Sequence, residues 1–289
     1  MSPAPERIEG RIFLVGCPRS GTTLLQSLLA AHSAVVSFPE THAFAHLVPR
    51  FPLARRLGLT NLRTWHRFRR SVQELGSTAP ARPTLRWRPA ARLLLGALDR
   101  AALARGGRVW LEKTPRHLHY LSEITAVAAQ AHFIHLLREG SEVVASLYEV
   151  TRQAPETWGG PRSLERCVRR WQEDVALSLA RAGDERHTLV LYDELVRDPE
   201  RSLRYLGGRL GLGFERAQLE GYRAEAARLV RADELWKKDA GGDIRPLPSG
   251  KVERLFDEAT REWLRGRVAS QAADLEQLRR AYLAATSER

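Results

Sequence analysis

Residues 11–29 read RIFLVGCPRSGTTLLQSLL, a short apolar run, a glycine-bounded turn and then leucines at helical spacing. Ile12, Phe13, Leu14 and Val15 form a continuous apolar stretch with β-branched and aromatic members, the pattern of a strand buried on both faces in a parallel sheet. After the turn, Leu24, Leu25, Leu28 and Leu29 follow helical periodicity. Strand, glycine loop and helix start together make an anion site, because loop N–H groups and the unpaired first N–H groups of the helix converge on one point.

The run Gly16-Cys17-Pro18-Arg19-Ser20-Gly21-Thr22-Thr23 has the P-loop spacing of two glycines separated by four residues, but Thr22 stands where the ATP- and GTP-binding form has its lysine. That lysine reaches the β- and γ-phosphates of a nucleoside triphosphate. Without it the loop suits a shorter 5′ group, held by backbone amides around Gly21, by Arg19 and by the hydroxyls of Ser20, Thr22 and Thr23. The competing reading is a strand-to-helix turn whose glycines answer backbone geometry alone.

Working outward, further apolar runs at 34–38, 109–111, 131–137 and 188–192 alternate with helical patterns at 116–128, after Gly140, and at 164–182, 199–210, 214–231 and 252–284. This alternation predicts an α/β fold with a parallel sheet of about five strands, right-handed crossovers and helices on both faces: a P-loop-like three-layer architecture. The stretch 45–105 is helical but irregular, rich in Arg, Leu and Trp and interrupted by prolines. It is expected to be a helical insertion or lid that forms an acceptor pocket within a single domain spanning 1–289.

In open α/β sheets the ligand crevice lies beyond the carboxyl ends of the strands. Four candidate groups fall there. Glu40 and His42 follow the second strand, and a carboxylate in a cleft can take the proton of an attacking hydroxyl; the alternative for Glu40 is a helix cap. Lys113 ends the third strand in EKTP, where an ammonium can offset charge on a departing group. Arg138 ends the fourth strand, eight residues before Ser146, and a guanidinium fork with a hydroxyl recognises a terminal phosphate. Tyr192 ends the fifth strand.

PRSGTTLL, SFPETHAF, EKTP and LLREGSEVVASLYEV, in this order at successive strand ends, resemble the motifs of the sulfotransferases that use 3′-phosphoadenosine 5′-phosphosulfate (PAPS), and most closely the tyrosylprotein and heparan or carbohydrate types. The resemblance covers residues 11 to about 200. It implies that Arg19, Thr22 and Thr23 hold the 5′-phosphosulfate, that Arg138 and Ser146 bind the 3′-phosphate, that Lys113 assists departure of the nucleotide, and that Glu40 is the base. The products are a sulfated hydroxyl and adenosine 3′,5′-bisphosphate (PAP), with no metal required. His42 matches the heparan type, whereas the tyrosylprotein type has arginine there. The phenol and steroid enzymes carry a catalytic histidine two residues after the lysine; Pro115 stands in that place, which favours Glu40, and His117 and His119 are read as surface or packing residues. Contacts to adenosine from the C-terminal part are sought among Trp236, Lys237, Lys238 and Lys251, none a clean match; Tyr192 either touches cofactor or packs.

The formal net charge of +12 and pI near 10.5 predict attraction to anions, but the positive charge is mostly arginine spread along the chain. A nucleic-acid-binding protein on a degenerate nucleotide fold therefore has net charge as its one support. A P-loop kinase or NTPase, with the acid-terminated run at 189–193 holding magnesium, is the other competitor. The two cysteines, Cys17 and Cys167, give no zinc or disulfide pattern, and His132 and His135, an odd number of strand positions apart, would face opposite sides and not share a metal. No apolar signal core and no stretch of membrane-spanning length is present. These features predict a soluble cytoplasmic enzyme acting on a small-molecule hydroxyl acceptor, with a peptide tyrosine or a glycan as alternatives and neither nucleic acid nor membrane as partner.

Overall fold

The computed structural model describes residues 7–231, 234, 242–244 and 250–287. Five strands, β1 (Gly10–Gly16), β2 (Val35–Phe38), β3 (Val109–Lys113), β4 (His132–Leu137) and β5 (His187–Leu191), pair in parallel in the order β2-β3-β1-β4-β5. β1 is therefore central, with Phe13 opposite Glu112 on one side and Phe133 on the other. The chain leaves β1 toward β2 and β3, then returns across the sheet to β4 and β5. That reversal opens a crevice at the carboxyl ends of β1 and β4.

The apolar runs are buried on both faces, as parallel strands require. Even positions of β1 (Ile12, Leu14) pack with Leu25, Leu28, Leu203 and Tyr222, which belong to α1 (Thr22–Ala30), α11 (Pro199–Leu210) and α13 (Tyr222–Leu229). Odd positions (Phe13, Val15) face α2 (Ala43–Leu47), α4 (Trp65–Glu74) and α5 (Trp87–Leu103); a short α3 (Pro52–Arg56) precedes α4. Phe13 anchors this side edge-on to Trp110 at 5.3 Å and stacked on Phe133 at 5.7 Å, aromatic contacts of about 1 kcal/mol each beyond burial. Under β4 and β5 the same face is covered by α7 (Gly140–Gln153), α9 (Leu164–Leu179) and α15 (Glu258–Ser287). The result is the expected three-layer fold. The stretch 45–105 contributes α5, whose Ala91, Leu94 and Leu98 are fully or almost fully buried beneath the sheet, so much of it is a core layer.

Boundaries differ from the periodicity in three places. The helix expected over 116–128 is a 3₁₀ segment, Pro115–Tyr120, followed by α6 (Leu121–Thr125); the tighter winding eclipses residues three apart and turns His117 and Tyr120 inward together. The pattern at 214–231 breaks at Gly221 into α12 (Ala217–Glu220) and α13 (Tyr222–Leu229). The C-terminal pattern breaks into α14 (Lys251–Leu255) and α15 (Glu258–Ser287), where the Asp257 carboxylate accepts from the Thr260 N–H at 2.9 Å. Between β4 and these elements run α8 (Pro155–Trp158), α10 (Tyr192–Arg197) and α11 (Pro199–Leu210). No helix among the described residues is long and apolar enough to cross a membrane.

Candidate active site

A cleft of about 1020 Å³ opens at the carboxyl edge of the sheet, and every strand delivers a residue toward it. From β1 comes the loop 17–21, in which Arg19 takes a left-handed conformation (φ 76°) and Gly21, the residue preceding α1, has φ 91° and provides no side-chain cap. The first N–H groups of α1 are thus left for a ligand, with Thr22 and Thr23 on the cleft wall. Ser20 Oγ is buried and has no hydrogen-bond partner among the described residues. An orphaned hydroxyl costs about 1–3 kcal/mol, so its place in an anion loop fits a ligand that satisfies it. A Cβ at Gly21 would lie 2.3 Å from the Tyr192 ring. Gly21→Ala is expected to destabilise the protein by about 2 kcal/mol or more through left-handed strain and overpacking, and to weaken nucleotide binding in parallel; calorimetric titration alongside thermal unfolding checks both.

Glu40 does not cap the following helix. The residue preceding α2 is His42, in a left-handed conformation (φ 49°) with no side-chain cap, and Glu40 turns instead to Lys113. Lys113 Nζ lies 2.5 Å from Glu40 Oε1 and donates to Thr23 Oγ1 at 3.3 Å, while His42 Nε2 is 3.3 Å from Glu40 Oε2. Loop hydroxyl, ammonium, carboxylate and imidazole form one line. Lys113 is 1 % exposed, so its charge works in a shielded place, where it counts for more than in water. Desolvation lowers the His42 imidazole from its ordinary value, against the pull of Glu40.

What fixes the 39–44 segment against β3 is a buried network that the sequence did not announce. Glu112 Oε1 accepts from Thr114 Oγ1 (2.6 Å), Thr41 Oγ1 (2.8 Å) and Thr41 N (3.2 Å), and Oε2 meets His117 Nδ1 at 2.9 Å. Phe44 N donates to His117 Nε2 at 3.3 Å, so the imidazole proton sits on Nδ1 and is donated to Glu112. Burial pushes the Glu112 carboxyl up, but His117 and the threonine hydrogen bonds outweigh it and hold it below its ordinary value. Its stabilisation is therefore present above the usual carboxylate range and is lost as pH falls through the lowered value. Glu112→Ala is expected to cost about 3–5 kcal/mol, as breaking a buried pair does, and to flatten the acid limb of stability in denaturant unfolding followed against pH.

On the other side of the loop, Arg19 Nε donates to Ser146 Oγ at 3.0 Å, joining the loop to α7. The Arg138 guanidinium lies 4.3 Å over the Tyr192 ring and 3.3 Å from Glu142. Tyr192 in turn packs on Gly21, and burial raises its phenol. Lys251 reaches the same cleft from α14 and pairs with Glu149 at 2.8 Å. Arg138 and Ser146 are thus brought beside the loop by β4 and α7, with their guanidinium and hydroxyl on one wall. Trp236, Lys237 and Lys238 lie outside the described residues. His119 pairs with Asp174 at 2.7 Å and His117 with Glu112 at 2.9 Å. His132 and His135 engage Thr188 and His187 respectively, adjacent residues of β5 on opposite faces.

The far wall of the cleft was not legible in the sequence. Among the described residues, Arg50 is the one lining residue from 45–105; Trp158, Arg162, Arg166, Arg169, Arg170 and Glu173 supply much of the rest. Arg166, Arg169 and Arg170 stand at helical spacing in RCVRRW, the one signal that could have revealed a shared face.

The profile of a family described as "Sulfotransferase family" matches residues 11–216. Nodulation protein NoeE of Sinorhizobium fredii is 27% identical over 293 residues, covering 85% of this chain and 61% of that protein. Protein-tyrosine sulfotransferase of Drosophila melanogaster is 25% identical, covering 86% of this chain and 44% of that protein. The chain therefore spans about half the length of these relatives. Among solved structures, the sulfotransferase domain of the Synechococcus PCC 7002 olefin synthase superposes with a TM-score of 0.59 at 23% identity, covering 94% of this chain and 98% of that one. A mouse sulfotransferase, SULT7A1, complexed with PAP gives 0.54 at 13% identity, covering 94% and 89%. These likenesses establish the shared fold.

Proposed function

Because the chain belongs to the sulfotransferase family, we propose that it moves the sulfuryl group of PAPS to a hydroxyl acceptor and releases PAP. One observation carries the reading: Lys113 Nζ lies between Thr23 Oγ1 of the anion loop and Glu40 Oε1. The group that offsets leaving-group charge touches both the phosphosulfate loop and the base.

In this reading the amides at the start of α1, Arg19 and the hydroxyls of Ser20, Thr22 and Thr23 hold the 5′ end. Arg138 and Ser146 take the 3′-phosphate, which distinguishes this donor from ATP, with Tyr192 and Lys251 closing the same wall. The acceptor enters past His42. Glu40 takes its proton as the oxygen attacks sulfur, and Lys113 meets the negative charge that grows on the bridging oxygen opposite. His42, 3.3 Å from Glu40, orients the carboxylate. A small hydroxyl compound is the favoured acceptor, with a peptide tyrosine or a glycan as the other candidates, and neither a metal nor a nucleic acid is needed.

The test is transfer of radiolabelled sulfuryl from PAPS to a panel of hydroxyl acceptors with EDTA present. Transfer that EDTA leaves intact supports the reading. Magnesium-dependent ATP turnover without sulfuryl transfer would replace it with the kinase alternative.

A further inference from the structure

Beyond Glu40 the cleft becomes a basin of arginines. Arg50 lies past α2 and Arg116 three residues past Lys113, while Arg162, Arg166, Arg169 and Arg170 come from α9 and the turn before it. The acids near them do not balance the charge. Glu40 is engaged by Lys113 and His42. Asp174 is fully buried beneath the basin and shared between Arg170 (2.6 Å) and His119 (2.7 Å). Glu173 is the other lining carboxylate on this side.

The guanidinium groups that line the basin are incompletely paired. Arg170 Nη2 is buried and has no hydrogen-bond partner among the described residues. Arg162 Nη2 reaches the Trp158 carbonyl at 3.3 Å. The side chains of Arg50 and Arg116 make no hydrogen bond or ion pair among the described residues. Burial, and then the charges of Arg50, Arg170 and Arg162, press Arg116 below its ordinary value; Arg162 is lowered by burial and by Arg170. The fold thus holds like charges together at a cost that an anion would relieve.

We propose, resting on the sulfuryl-transfer reading, that this basin is an acceptor subsite for a tetrahedral oxyanion, so that the hydroxyl acceptor already carries a phosphate or sulfate ester. The donors come from three separate elements around the opening, which matches the three terminal oxygens of such an ester better than a planar carboxylate. The basin adjoins the loop 17–21, where Cys17 lies against Asp174 and Arg170, but none of its arginines is among the groups assigned to the donor nucleotide, which are those of the loop and the Arg138 and Ser146 wall.

The experiment saturates the protein with PAP, which fills the nucleotide phosphate positions, and then titrates inorganic phosphate, inorganic sulfate and acetate separately by calorimetry. Saturable binding of phosphate or sulfate is expected, with acetate about tenfold weaker or worse; the tighter of the two oxyanions identifies the ester. The double substitution Arg50→Gln with Arg116→Gln is expected to weaken oxyanion binding by about tenfold, to leave PAP affinity within about threefold, and to leave the melting temperature unchanged or higher because like-charge crowding is removed. Absence of oxyanion binding to the PAP-loaded protein, equal binding of acetate, or unchanged binding by the double variant would overturn the subsite. So would a fall in its melting temperature, since the two side chains would then be stabilising the fold. Failure to bind PAP at all would instead bring down the sulfuryl-transfer reading, and this inference with it.

Discussion

Glu40→Gln is expected to lower sulfuryl transfer by about 10²–10⁴-fold, the usual contribution of a positioned general base, while PAP affinity changes by no more than about threefold. Glutamine keeps the shape of the side chain and a carbonyl that can still accept from Lys113 Nζ, 2.5 Å away in the wild type. It cannot take a proton from the acceptor. The loss should therefore appear in kcat, with KM for PAPS little changed. Steady-state kinetics beside a PAP titration separates the two, and turnover close to wild type would remove Glu40 from the base position.

Lys113→Ala is expected to cost about 10²–10³ in kcat, comparable to removing one preorganised donor from a developing oxyanion. Its ammonium is almost wholly enclosed, with a side-chain exposure of 2 %, so water does not readily replace it. The same enclosure predicts that Lys113→Arg restores little, because the longer planar guanidinium does not fit the slot between Thr23 and Glu40. A rate recovered by Arg would mean that any positive charge at the strand end suffices. Thermal unfolding of each variant separates lost chemistry from lost fold, since Glu40 would be left without its cation.

Much of this arrangement could be read before the structure. β1 is legible because four consecutive apolar residues before a glycine suit burial on both faces, and the strand ends carry Glu40, Lys113, Arg138 and Tyr192 in an order that only a parallel sheet would gather. Other parts were hidden for physical reasons. Glu112 looks like an ordinary end to an apolar strand; its partner His117 is brought back by a 3₁₀ segment that helical periodicity does not distinguish from α-helix. Arg166, Arg169 and Arg170 fall within the helical pattern at 164–182, which says nothing of what that face meets. They become a cleft wall because Cys167, Val168 and Trp171 of the same helix pack inward beside α7, which only the tertiary contacts determine. The irregular helical pattern of 45–105 suits an insertion or lid, and it does not show that the alanines and leucines of α5 also supply a layer of the core.

Whether this cleft is built for a nucleotide with a 3′-phosphate is decided by calorimetric titration of the wild-type protein with PAP, using ADP and AMP as controls. Saturable PAP binding is expected, with ADP and AMP at least about tenfold weaker, which is about 1.4 kcal/mol. ADP binding as tightly as PAP, or more tightly, would contradict the roles given to Arg138 and Ser146 and point the anion loop toward phosphoryl rather than sulfuryl transfer.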